Sequence, residues 1–86
     1  MAISKKHNQA VFERLVDACG AHVAHGYNDV GGWRLDYNGL YGGYNIEEIA
    51  NESGGVRQPF GATRMKAAVF ADAMHFALRA IEYSKK

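Results

Sequence analysis

The last third of the chain contains a helix that is apolar around most of its circumference, and this limits how the chain can fold. The spacing of apolar residues predicts a helix from Thr63, the expected N-cap, to about Tyr83. Its main apolar stripe consists of Ala67, Phe70, Ala71, Met74, Leu78 and Ile81. The second stripe, which lies beside the main one, consists of Val69, Ala73, Phe76, Ala80 and Tyr83. A helix that is apolar on two sides is usually buried on both. We therefore expect the second stripe to be covered by the other helix of the chain or by a second copy.

The length of the chain favours a second copy. Its 86 residues suffice for one domain, predicted to span residues 1–86, with a core of modest size. Such a domain is only marginally stable alone, and dimerisation would bury additional apolar area. We therefore predict a homodimer whose interface is the second stripe.

The N-terminal third reads as another helix. Ser4 is the expected N-cap, because its hydroxyl can accept a hydrogen bond from a free backbone N–H. Gly20 is expected to end the helix after Cys19, although the alanine-rich stretch that follows allows an extension to Gly26. The apolar stripe of this helix consists of Val11, Phe12, Leu15, Val16 and Cys19.

The middle of the chain predicts a β-hairpin. Trp33, Leu35 and Tyr37 alternate with polar residues, which is typical of a half-buried strand. The dipeptide Asn38-Gly39 predicts a type I′ turn. A second strand is expected from Leu40 or Tyr41 to about Asn51, with a bulge or bend at Gly42-Gly43. Residues 56–60 suit a short third strand at the edge of the sheet. The predicted fold class is thus α+β: an N-terminal helix, a small two- to three-stranded antiparallel sheet and a long C-terminal helix, with both helices on one face.

Charge and cysteine content narrow the possible functions. The formal net charge of +1 argues against a strongly nucleic-acid-binding protein, which usually has a basic excess. The lysine pairs Lys5-Lys6 and Lys85-Lys86 are interpreted as solvated ends. A single cysteine excludes an intramolecular disulfide and fits a reducing cytoplasm. No apolar run is long enough to span a membrane, so no membrane partner is expected.

Cys19, His22 and His25 are the residues that best suggest a metal or thiol site. Their spacing of three would align them on one side of an extended helix, and thiolate and imidazole are good Zn²⁺ ligands. Gly20 weakens that helix, and a thiol on an apolar stripe is often simply buried. A metal- or thiol-dependent protein therefore stays an alternative. We expect no cofactor, no metal and no enzymatic activity, and we interpret Glu47, Glu48 and Glu52 as a solvated acidic face.

An aromatic cluster is the most informative feature of the middle segment, and it consists of Tyr27, Trp33, Tyr37, Tyr41 and Tyr44. Such residues, with arginines nearby, can anchor a protein interface or stack single-stranded bases. They can also form core, an alternative that stays open for Trp33 and Tyr37, whereas Tyr41 and Tyr44 are expected to be partly exposed. The near-neutral charge favours a protein partner. The predicted partner-binding residues are Tyr27, Trp33, Arg34, Tyr41, Tyr44 and Arg57.

The order of these signals resembles that of small uncharacterised proteins of tailed bacteriophages. The resemblance covers about residues 41–83: Gly42-Gly43-Tyr44 leading to Ile46, Ile49 and Asn51, then Gly54-Gly55-Val56 and a Thr-capped helix. It implies a phage product that acts in the bacterial cytoplasm, where proteins of this size often bind and block a host protein, as anti-CRISPR proteins do. The expected function is therefore non-enzymatic binding and modulation or inhibition of a host protein. The alternatives are a nucleic-acid-associated protein and the metal or thiol protein.

Overall fold

A computed structural model describes residues 4–85 and has the α+β architecture expected from the sequence. Helix α1 (Lys5–Ala18) comes first and helix α2 (Ala67–Ser84) comes last. Between them lie β1 (His22–Val23), β2 (Gly32–Asn38), β3 (Gly43–Ile49) and β4 (Val56–Arg57). The strands form one sheet in the order β1-β2-β3-β4. Lys86, part of the C-terminal lysine pair, lies outside the described residues.

The sheet is larger than expected and is mixed. The hairpin of β2 and β3 and the short edge strand β4 are antiparallel, as predicted. The additional strand, β1, runs parallel to β2. It forms because α1 ends at Ala18 and Gly20 has a φ of +73°, which turns the chain before His22. The alternative in which α1 continues to Gly26 is therefore wrong.

The start of α1 follows from its cap. The Ser4 hydroxyl accepts a hydrogen bond of 3.0 Å from the His7 backbone N–H, as the sequence indicates. One turn further on, the buried side chain of Asn8 donates to the carbonyl oxygen of Ala67 at 3.3 Å. This bond joins the first turn of α1 to the first residue of α2, so that the two helices begin side by side.

The hairpin forms with a different turn from the one predicted. Residues 39–41 form a short 3-10 turn, and the Asn38 side chain accepts a hydrogen bond from the Leu40 N–H. The left-handed residues are Gly42 and Gly43, with φ values of +102° and +117°, rather than Asn38 and Gly39. The type I′ turn is therefore wrong. The two glycines lead into β3 instead of interrupting it.

Helix α2 begins later than its sequence suggests. Met65 is extended and pairs with Tyr44, with backbone hydrogen bonds of 2.8 and 2.9 Å in both directions. Thr63 therefore cannot be the N-cap, and Lys66 occupies that position without a capping side chain. Arg64 fixes the same segment, since its guanidinium donates to the carbonyl oxygen of Gly43 at 3.0 Å and to the Asp36 carboxylate.

The core lies between the two helices and one face of the sheet. Residues that are directly opposite in an antiparallel pair share a face, so Leu35 and Ile46 point toward the helices. The main apolar stripe of α2 is inward-facing, as predicted. Among the described residues, no helix is both long enough and apolar enough to cross a membrane. The buried core residues are Val11, Phe12, Leu15, Val16, Tyr44, Ile46, Phe70, Met74 and Leu78.

Candidate functional site

The aromatic cluster is divided between the core and the surface. Tyr44 is only 4% exposed, and its ring stacks on Phe70 with a centroid distance of 5.5 Å. The expectation that Tyr44 is partly exposed is therefore wrong, because its position opposite Tyr37 places it on the face that the helices cover. Trp33 is partly buried against the core and meets the Phe60 ring edge-on at 5.7 Å.

The two most exposed tyrosines of the cluster lie far apart. Tyr27 and Tyr41 are 68% and 74% exposed. Tyr41 immediately precedes the start of β3, whereas Tyr27 packs against Gly54, which follows the end of β3. A strand of seven residues separates them by about 20 Å. The six predicted partner-binding residues therefore do not form a single surface.

Both arginines of the predicted set are paired within the sheet. Arg34 lies opposite Glu47 in the register and reaches its carboxylate at 2.8 and 2.9 Å. The Glu47 side chain is buried, so it is not part of a solvated acidic face, and Arg34 serves as its counter-charge. Arg57 lies 3.4 Å from Glu48 in a more exposed pair. Both arginines thus form ion pairs within the sheet.

The first exposed apolar surface is the hairpin tip, which comprises Tyr37, Leu40 and Tyr41. Leu40 is 93% exposed, and the 3-10 turn holds it beside Tyr41. The ammonium group of Lys5 lies 4.6 Å from the centroid of the half-exposed Tyr37 ring. Sequence reasoning missed Leu40, although its place directly after the turn signal Asn38-Gly39 pointed to a hairpin end.

A cleft of about 380 Å³ lies behind the hairpin tip. Lys5 and Lys66 line it from the beginnings of α1 and α2, and Gly42 and Gly43 line it from the hairpin. The cleft thus contains two cationic side chains, of which Lys5 lies over the half-exposed ring of Tyr37. A partner at the tip would therefore meet both apolar and cationic groups.

The second exposed apolar surface is the second stripe of α2. Phe76 and Tyr83 are 76% and 79% exposed, and Val69 and Ala80 are also exposed. The five positions are separated alternately by four and three residues, which is the spacing of a helix–helix seam. The His7 and His75 rings lie 5.7 Å apart, which places α1 on another side of α2. Coverage of the second stripe by α1 is therefore wrong.

The histidine cluster is held by an aspartate rather than arranged around a metal position. Asp29 accepts a hydrogen bond of 2.9 Å from the His25 backbone N–H, and its carboxylate lies 3.0 Å from His22 Nε2. The His25 N–H, followed by His22, lowers the pKa of Asp29 below its usual value. Cys19 is exposed beyond the end of α1, so its predicted place on the buried apolar stripe of that helix is wrong. Within residues 4–85, no three His, Cys, Asp or Glu side chains are placed to share a metal ion. The cluster instead fastens the loop that leads into β2.

No family model matches this chain, and no curated protein or solved structure is significantly similar to it. The class of the protein therefore follows from its fold and its exposed surfaces alone. Over residues 4–85 the protein is a small α+β domain in which two helices cover one face of a four-stranded mixed sheet. Two apolar surfaces, the hairpin tip and the second stripe, are exposed at its periphery.

Proposed function

We propose that the protein is a non-enzymatic binding protein that engages another protein through the hairpin tip. The observation that carries this proposal is the exposure of Leu40 and Tyr41 on a turn that is fixed on both sides. Asn38 caps the turn, and Gly42 supplies the left-handed residue that ends it. Because the backbone of the turn is pre-formed, little backbone conformational entropy is lost when a partner binds there. Tyrosine is one of the favoured anchors of such interfaces, and Leu40 adds exposed apolar area beside Tyr41.

The chemistry of the partner follows from the surroundings of the tip. Leu40 and Tyr41 require an apolar depression, and Lys5 and Lys66 favour carboxylates at its rim. Following the resemblance to phage proteins, the proposed partner is a bacterial host protein in the cytoplasm. The proposed consequence is inhibition or another modulation of that protein, as with anti-CRISPR proteins.

Nucleic acid is the second candidate, and one observation favours it. Lys5 lies over the half-exposed ring of Tyr37 and Lys66 lines the same cleft, an arrangement that suits a phosphate next to a stacked base. Against it, Tyr44 is covered by α2, and Arg34 and Arg57 are paired with glutamates. A net charge of +1 offers little of the phosphate attraction on which such binding depends. A protein partner is therefore the better-supported proposal.

An affinity pull-down from bacterial lysate tests the proposal, with and without nuclease. We expect the tagged protein to retain one stoichiometric host protein that resists nuclease, and the double variant Leu40→Ser/Tyr41→Ser to lose it. Tyr27→Ser is the matched control, since it removes an equally exposed tyrosine at the other end of β3. Loss on nuclease treatment would indicate nucleic acid instead. Equal capture by the double variant and by the control would contradict a role for the tip.

We also propose that the chain forms a homodimer through the second stripe. Phe76 is the central large residue of the stripe, so Phe76→Glu would place a charge in the middle of the interface. We expect light scattering to show a dimer for the wild type and a monomer for the variant, with unchanged circular dichroism. A wild-type protein that is monomeric at high concentration would contradict the homodimer.

A further inference from the structure

An apolar pocket of about 120 Å³ opens beside the second stripe. Ala73 and Ala77 of α2 form one wall, and Phe60 and Thr63 of the segment before α2 form the opposite wall. Ile46 and Met74 also line the pocket, from β3 and from the inward side of α2. Ala73 belongs to both the second stripe and the pocket, so the two surfaces are continuous.

We propose that this pocket seats the Phe76 ring of a second copy of the chain, an inference that rests on the proposed homodimer. Ala73, Phe76, Ala77 and Ala80 have the i, i+3, i+4, i+7 spacing of the four residues that surround an inserted side chain at a helix–helix contact. Three of the four are alanines, which leave room for a large side chain, and two of these, Ala73 and Ala77, also line the pocket. By two-fold symmetry, each Phe76 enters the pocket of the other copy.

The size and lining of the pocket fit part of an aromatic ring. The pocket of about 120 Å³ is smaller than the enclosed apolar cavity of about 150 Å³ that binds benzene, and it can take part of a ring because it is open to solvent on one side. The side chain that would fill it is 76% exposed in the single chain. Moving this ring from water into an apolar pocket is favourable. In a symmetric dimer, two Phe76 rings are buried in this way.

The charges beside the second stripe favour an antiparallel pair of α2 helices. At 100° per residue, Asp72 and Arg79 lie on the side of Phe76 away from Ala77 and the pocket. Asp72 precedes Phe76 by about one turn, and Arg79 follows it by about one turn. In an antiparallel pair centred near Phe76, each Asp72 therefore faces Arg79 of the second copy. A second copy thus brings both the ring for the pocket and the matching charges, which is why it is the occupant we favour.

Measurement of the dimer dissociation constant by sedimentation or light scattering tests whether the pocket binds Phe76 of the second copy. Ala77→Leu fills the pocket from α2, and we expect it to weaken the dimer by at least about tenfold. Ala10→Leu is the matched control, because Ala10 is exposed on the side of α1 that faces away from the core and from α2. If Ala77→Leu does not fold, Thr63→Leu narrows the pocket from its other wall and should have the same effect.

The outcomes distinguish the proposed binding of Phe76 in the pocket from the proposed homodimer itself. If the wild type is monomeric, both proposals fail. If the wild type is a dimer and Phe76→Glu is a monomer, the homodimer is supported. If Ala77→Leu and Thr63→Leu then leave the dissociation constant unchanged, the binding of Phe76 in the pocket is overturned. The orientation has its own test: Asp72→Arg should weaken the dimer, and the double exchange Asp72→Arg/Arg79→Asp should restore it. Failure of the double exchange to restore the dimer would overturn the antiparallel arrangement.

Discussion

Replacement of Gly43 by alanine is expected to lower the free energy of unfolding by at least about 3 kcal/mol. Gly43 has a φ of +117°, and a Cβ atom there would lie 2.3 Å from the carbonyl oxygen of Met65. The obstacle is backbone, so no side-chain rotation can relieve it. Met65 must move away from Tyr44, and their two hydrogen bonds would be lost. Because this bridge fixes the segment just before α2, the packing of α2 on the sheet should weaken with it.

Two other glycines of the chain provide controls for the left-handed backbone alone. Gly42 has a φ of +102° and would place a Cβ atom 3.7 Å from Arg64, an ordinary contact. Gly20 has a φ of +73° with nothing within 4 Å. Gly42→Ala and Gly20→Ala should each cost about 1–2 kcal/mol. Urea unfolding of all three variants makes the comparison, and a loss at Gly43 no larger than at Gly42 would show that the Met65 clash has no effect.

Local sequence signals predicted the elements that depend on neighbouring residues. Ser4 and the apolar spacing after it located α1, because an N-cap and a helical stripe involve only nearby positions. The alternation of Trp33, Leu35 and Tyr37 located β2 for the same reason. Strand β1 has two residues, too few for any periodicity, and it exists only because β2 pairs with it.

The errors arise where distant contacts override local preference. Both Asn38-Gly39 and Gly42-Gly43 can supply left-handed residues, and the register of Tyr37 opposite Tyr44 selects the second pair. That register follows from the burial of Tyr44 beneath α2. The sequence of the hairpin alone gives no information about this contact with a distant helix. Likewise, Thr63 is a good cap by sequence, but the pairing of Met65 with Tyr44 keeps the chain extended past it.

The candidate surfaces were predictable to a similar extent. Partial exposure of Tyr41 was predicted because the residue lies beside Gly42-Gly43, and Tyr41 is indeed exposed. The second stripe was visible as an apolar face, but the pocket beside it was not. Its opposite walls come from Ala73 in α2 and from Phe60 in the preceding segment, whose path depends on the Met65 bridge. The homodimer and the host-protein partner stay predictions.

Phe12→Ala is expected to produce a loss of about 3–5 kcal/mol, the usual cost of truncating a fully buried phenylalanine. Phe12 is 0% exposed and belongs to the core shared by α1, the sheet and α2. Removal of the Phe12 ring leaves a cavity among helices and strands that are held by other contacts. These elements therefore collapse only partly into the cavity. For an 86-residue domain this is a large share of the total stability, and thermal unfolding should shift strongly downward.

Phe76→Ala makes the same chemical change on the surface and gives the decisive contrast. In dilute protein, where a dimer would dissociate, it should change the free energy of unfolding by less than about 0.5 kcal/mol, because Phe76 is mostly exposed in the single chain. At high concentration the melting temperature of the wild type should rise, since association stabilises the folded state. That rise should be absent in Phe76→Ala and should persist, from a lower starting temperature, in Phe12→Ala. Comparable losses for both variants in dilute solution would mean that Phe76 supports the fold, and the second stripe would then not be available to a second copy.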